Sequence, residues 1–197
     1  MHARRPHRIQ NFPYLGGYRY FVTCCTDNHA RAFVSPPSVA ALTTQLLRTC
    51  DAHSFAVLAY VFMPDHLHFL VEGRSDQADF RGAMRVIRQR LTVTYHTWNS
   101  GDLWQDGYHE RVLRDEEATA AVAEYIVANP VRAGLVENAR DYPFSWSIEW
   151  EADQALSRRT VNRSALRTAS SADQSSVRPT YCGLLFVREV CSCVLRR

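Results

Sequence analysis

FAVLAYVFMPDHLHFLVEG, residues 55–73, decides the architecture of this chain. Its first nine residues are apolar without a break, Pro64-Asp65 carries turn chemistry, and a second apolar run starts at His66. Two such runs across so short a break form an antiparallel hairpin. Side chains alternate across a strand, so Leu67, Phe69 and Val71 share the core face while His66 and His68 share the other. Two imidazoles spaced this way can hold one cation, and a metal-free pair of hairpin histidines has the same spacing.

Working outward, YRYFVTCCT (18–26) follows the Gly16-Gly17 break and predicts a strand ahead of the hairpin. Between them Val39, Leu42, Leu46 and Leu47 recur at helical spacing from Pro37 to His53, with Ser38 as N-cap. Beyond the hairpin, Phe80, Met84, Ile87, Leu91 and Trp98 make one stripe of a helix over 80–98, with Arg81, Arg85 and Arg88 on another face. His109 to Leu113 predicts a short strand, after which Asp115, Glu116 and Glu117 open a helix that Pro130 ends or kinks near Asn129. The order strand, helix, hairpin, helix, strand, helix fits an α+β fold, a ferredoxin-like antiparallel sheet with helices packed on one face. That domain fills residues 1–150. Residues 151–197, rich in Ser, Arg, Ala and Thr as far as Thr180, read as a partly disordered linker and C-terminal tail.

All 23 basic residues are arginine, yet the net charge of +3 falls short of a strongly basic nucleic-acid binder. Residues 1–150 carry 15 arginines against 16 acids, and 151–197 carry 8 against 4, so any nucleic-acid contact rests on local patches. No apolar run follows Arg4, Arg5 and Arg8, which predicts neither a secretory signal nor a membrane span and places the protein in the cytoplasm. The cysteines, at 24, 25, 50, 182, 191 and 193, contain no CxxC pair and read as reduced thiols.

Tyr125 and Asn129 stand i and i+4 on the last predicted helix, so an amide oxygen and a phenol share one face. Val122, Tyr125, Ile126 and Asn129 equally follow the spacing of a buried stripe, and Tyr95 with Asn99 repeats the pattern one helix earlier. Spacing therefore does not choose between the tyrosines.

Five stretches stand together in order: NFPYLGGYRYFVTCCTDNHARAF (11–33), MPDHLHFLVEG (63–73), LWQDGYHERVLRDEE (103–117), AEYIVANPVRAGLV (123–136) and DYPFSWS (141–147). They resemble the repetitive-extragenic-palindrome (REP)-associated tyrosine transposases, HUH single-tyrosine relatives of insertion-sequence transposases. The resemblance implies a ferredoxin-like sheet carrying His66 and His68 as metal ligands, Asn129 as third ligand and Tyr125 as nucleophile. It implies a metal-dependent single-strand endonuclease and strand transferase that acts on single-stranded DNA hairpins of palindromic repeats through a 5′-phosphotyrosine. Arg4, Arg5 and Arg8 would then lie near flanking bases. A mixed imidazole and amide site with open positions suits Mg²⁺ or Mn²⁺. Arg81, Arg85 and Arg88 make a cationic face that can contact phosphates or simply be solvated, and Trp104, Tyr108, Phe12 and Tyr14 can stack on unpaired bases or pack in the core. The alternative is a non-cleaving binder of palindromic repeat DNA; monomer and dimer both stay open.

Overall fold

A computed structural model describes residue 9, residues 11–113 and residues 116–151, the side chains of Glu116 and Glu117 excepted. The elements run β1 (Arg19–Cys25), α1 (Pro36–Ala52), β2 (Phe55–Met63), β3 (His66–Gly73), α2 (Phe80–Tyr95), β4 (His109–Leu113), α3 (Glu116–Arg132) and β5 (Ser145–Ser147). The sheet is antiparallel throughout, in the order β4-β1-β3-β2-β5. Its first four strands, joined by two crossover helices, form the ferredoxin-like α+β layout the sequence predicts. The short β5 extends the sheet beside β2.

Strand alternation divides the interior in two. On one face Tyr20, Val22, Leu67, Phe69 and Val71 pack with Val39, Leu42 and Leu46 of α1 and Phe80, Met84, Ile87 and Leu91 of α2. Tyr20 stacks on Phe80 at 3.8 Å between ring centroids. On the other face Ala59, Val61 and Leu70 lie under Val122, Ala123 and Ile126 of α3. Each Val, Leu, Ile, Phe or Met among them taken fully from water contributes roughly 1.5–3 kcal/mol.

The helices thus share one face only for α1 and α2; α3 lies on the opposite one. The two crossovers leave and re-enter the sheet with the same hand and are held to one side. The stripe of α3, coming after the last crossover, buries itself on the face they leave open. This difference puts α3 over His66 and His68 rather than behind them.

Three helix ends also differ from expectation. Helix α1 begins at Pro36 with Ser35 in the N-cap position, and Ser38 is buried within it. Two prolines sit in its first turn, where a missing N–H breaks no intrahelical bond. Helix α2 stops at Tyr95, and Trp98 leaves the stripe to stand 53% exposed. Its last turn tightens to three-residue hydrogen bonds, Thr97 N to Thr94 O and Trp98 N to Tyr95 O, which rotates Trp98 outward. Helix α3 neither ends at Asn129 nor stops at Pro130 but continues to Arg132. No helix among the described residues is long and apolar enough to cross a membrane. Apart from Glu151, the linker and tail expected over 151–197 lie outside the described residues.

Candidate functional site

The register of β1 against β3 sets Thr23 opposite His68 and Cys25 opposite His66. His66 and His68 share the parity of Leu70 and so face α3, their ring centroids 4.6 Å apart. Both rings are held from behind. His66 Nδ1 lies 2.7 Å from Asp65 Oδ1, and a carboxylate oxygen only accepts, so Nδ1 carries the hydrogen and in the neutral ring Nε2 keeps its lone pair. His68 Nδ1 lies 2.8 Å from Thr23 Oγ1, and with Nδ1 donating to that hydroxyl the second Nε2 is free as well. His68 is 8% exposed, and burial, helped by the neighbouring His66, pushes its pKa down to about 3. It is neutral at physiological pH, as a ligand must be.

Tyr125 stands on α3 at the edge of the stripe formed by Val122, Ala123, Ile126 and Val127. It is 39% exposed rather than buried, and its ring lies 6.2 Å from the His68 ring and 6.0 Å from that of Phe21. The Arg132 guanidinium carbon sits 4.7 Å from the Tyr125 centroid, within cation–π range. Tyr95 is a different case. Its helix packs on the far face of the sheet and its ring against the α1 and α2 core, so the sheet separates it from both histidines.

Asn129 is half-buried, and its Nδ2 donates to the carbonyls of Tyr125 at 2.8 Å and Ile126 at 3.2 Å. Carbonyl oxygens only accept, so the group facing them must be the NH₂ and the amide oxygen points elsewhere. Pro130, buried inside the helix, has no N–H to give to Ile126 O. The helix carries past it because the side chain of Asn129 supplies that bond and Ala133 N bonds Asn129 O at 2.9 Å. Beyond Arg132 it is capped at Gly134 (φ 67°), with Gly134 N on Val131 O and Leu135 N on Pro130 O, the paired bonds of a Schellman cap.

Two imidazole nitrogens and one amide oxygen on facing elements suit a divalent cation with further positions open to oxygen ligands. No group of three His, Cys, Asp or Glu residues arranged to hold a metal occurs among the described residues.

The expected nucleic-acid contacts fare unevenly. Arg81 and Arg85 are exposed, and Arg88 donates to Gln105 O at 2.8 Å. With Asp79, Met84 and Tyr108 they line a cleft of about 530 Å³ on the α2 side, the face away from the histidines. Tyr108 is 8% exposed and meets Phe80 edge-on at 6.3 Å, and Tyr14 is also buried, so neither offers a ring face to a base. The indole of Trp104 donates to Arg88 O at 3.3 Å and leans on Phe33. Phe12 packs against Tyr14 and Tyr18. These rings fasten the N-terminal loop and α2 to the sheet. Arg4, Arg5 and Arg8 lie outside the described residues.

Sequence reading missed Thr23, Asp65 and Arg132. Asp65 adjoins His66, and that adjacency was a usable signal. Thr23 is found only once β1 is paired with β3.

A family model described as IS200-like transposase matches residues 16–129. A putative REP-associated tyrosine transposase of Haemophilus influenzae is 22% identical over 140 residues, 66% of this chain and 79% of the relative. A REP-associated tyrosine transposase of Escherichia coli is 25% identical over 150 residues, 71% of this chain and 88% of the relative. The solved structure of a REP-associated tyrosine transposase bound to a REP hairpin superposes with a TM-score of 0.60 at 22% identity, covering 71% of this chain and 82% of that one.

Proposed function

The chain belongs to the IS200-like transposase family, and from that premise we propose that it is a metal-dependent single-strand DNA endonuclease and strand transferase with Tyr125 as nucleophile. Its proposed substrate is a single-stranded hairpin of a palindromic repeat, the class named for the structural neighbour. One observation carries the reading: the half-exposed phenol of Tyr125 approaches the His66–His68 pair, 6.2 Å from the His68 ring, on the one sheet face where α3 lies.

His66, His68 and Asn129 would hold Mg²⁺ or Mn²⁺, which when bound supplies Lewis-acid polarisation of the scissile phosphate. The rest falls to the chain's own groups. Asp65 fixes the His66 tautomer that leaves Nε2 available, and Thr23 holds the His68 ring through Nδ1, which leaves its Nε2 available when Nδ1 donates. Arg132 places a positive charge beside the nucleophile, where an incoming phosphate brings its negative charge. The Tyr125 oxygen attacks phosphorus in line, the phenol proton departs, the bond to O3′ breaks and the leaving oxygen is protonated to a 3′-hydroxyl. The 5′-phosphotyrosine keeps the phosphodiester energy, so a second 3′-hydroxyl attacking it restores a DNA strand and frees the tyrosine. Arg81 and Arg85, on the far face, are assigned to stem phosphates.

The test is a labelled hairpin oligonucleotide incubated with protein and Mn²⁺, then run on a denaturing gel. Wild type shifts label into a covalent protein band, whereas Tyr125→Phe and chelator-treated wild type do not. Cut DNA with no protein attached would replace this reading with simple metal-dependent hydrolysis. Retention of uncut hairpin would replace it with a binder.

A further inference from the structure

We propose that Asn129 and Pro130 form one positioning device, in which the proline withholds a backbone donor so that the neighbouring amide must turn inward and its oxygen is fixed as a ligand. The inference rests on the metal reading given under Proposed function and adds to it the reason why an amide, rather than a carboxylate, stands at position 129.

In an uninterrupted helix Ile126 O accepts from the N–H of residue 130, and proline has none. Asn129 Nδ2 fills the gap at 3.2 Å and reaches Tyr125 O at 2.8 Å. With an ordinary residue at 130 Ile126 O would have its backbone donor, as Tyr125 O has from the residue 129 N–H in any case, and the amide would be free to rotate. The proline makes one orientation obligatory, and because NH₂ and oxygen sit on the same carbon, fixing the first fixes the second. A carboxamide donates to a carbonyl through its NH₂ and offers its oxygen to a cation at once, which an ionised carboxylate cannot do. An aspartate, the stronger ligand by charge, would set a carboxylate against two carbonyl oxygens.

The other Tyr-x-x-x-Asn turn lacks the device. Ser100 follows Asn99, and Asn99 Nδ2 is 3.5 Å from Tyr95 O, at the limit of a hydrogen bond. Placing Asn129 one turn from Tyr125 also ties the ligand to the carbonyl of the nucleophile itself.

The test is a cycle of Asn129→Asp, Pro130→Ala and the double variant in the full-length protein, read by Mn²⁺ titration followed by electron paramagnetic resonance and by thermal midpoint, both without DNA. We expect Asn129→Asp to weaken Mn²⁺ binding about tenfold or more and to lower the midpoint. Pro130→Ala returns an N–H to Ile126 O, so in that background the Asn129→Asp loss of midpoint disappears and Mn²⁺ affinity recovers. If Asn129→Asp alone does not fold, recovery of a folded double variant supports the device, and failure to recover overturns it. Mn²⁺ binding by Asn129→Asp equal to or tighter than wild type, or midpoint losses that add independently, would overturn it. Absence of Mn²⁺ binding by wild type would instead remove the ligand half together with the metal reading, leaving the midpoint cycle to judge the hydrogen-bond half.

Discussion

Two stretches of this chain carry the spacing Tyr-x-x-x-Asn, and they part company at the sheet. Tyr95 ends α2 on the face packed with aromatic rings, with Asn99 in the turn beyond it, while Tyr125 and Asn129 lie in the last turns of α3 on the face that carries His66 and His68. The local pattern is the same; the surroundings are not. One asparagine is exposed with a stretched contact, and the other is half-buried and bridges two carbonyls beside a proline. What separates the two tyrosines here is which side of the sheet the helix reaches, and that is settled by chain topology.

The comparison can be broken most sharply at the tyrosines. Tyr125→Phe is expected to reduce covalent adduct by about 10³-fold or more, whereas Tyr95→Phe leaves its yield within about twofold, both measured as label retained by protein on denaturing gels. Loss of adduct in the Tyr95 variant would erase the distinction.

The histidine side of the comparison sharpens at Thr23, whose hydroxyl bonds His68 Nδ1. Thr23→Val is expected to weaken Mn²⁺ binding roughly 10–100-fold, and Thr23→Ser, which keeps the hydroxyl, to restore most of it. Equal affinities for valine and serine variants would remove Thr23 from the site.

The burial of His68 has a consequence for the metal-free protein. Its folded pKa is depressed to about 3 from an ordinary value of 6.5, so the unfolded chain takes the proton first. The neutral ring's contribution is intact above pH 6.5 and is lost as pH falls toward 3. Between pH 7 and 5 this costs about 2 kcal/mol. Urea unfolding of wild type and His68→Gln at both pH values checks it, and the variant should lose less.

The smallest contrast lies at the asparagines. Asn129→Ala orphans Ile126 O and should cost about 1–2 kcal/mol, while Asn99→Ala should fall within about 0.5 kcal/mol of wild type, both by chemical denaturation.

Much of this was readable from the residues alone. The hairpin over 55–73 and the strand His109–Leu113 form where alternation and turn chemistry place them, because those signals are local. The side of the sheet that receives α3 was not readable: an apolar stripe says that a helix buries a face, not which partner covers it. Pro130 misled for a related reason, since a proline's cost depends on whether a side chain nearby can replace its missing donor, and Asn129 does. Tyr108 and Tyr14 looked like base platforms because composition cannot separate a stacked core from a stacked ligand. His66 and His68 were legible as a same-face pair. Their convergence with Tyr125 was not, since it joins β3 to a helix more than fifty residues later.

The most direct test of the central claim is to map the attachment site. Protein linked to a hairpin oligonucleotide in Mn²⁺ is digested with protease and nuclease, and the peptide bearing the residual nucleotide is sequenced by mass spectrometry. The account predicts a 5′-phosphate ester on Tyr125; attachment at Tyr95 or any other residue, or cleavage with no nucleotide-bearing peptide, would contradict it.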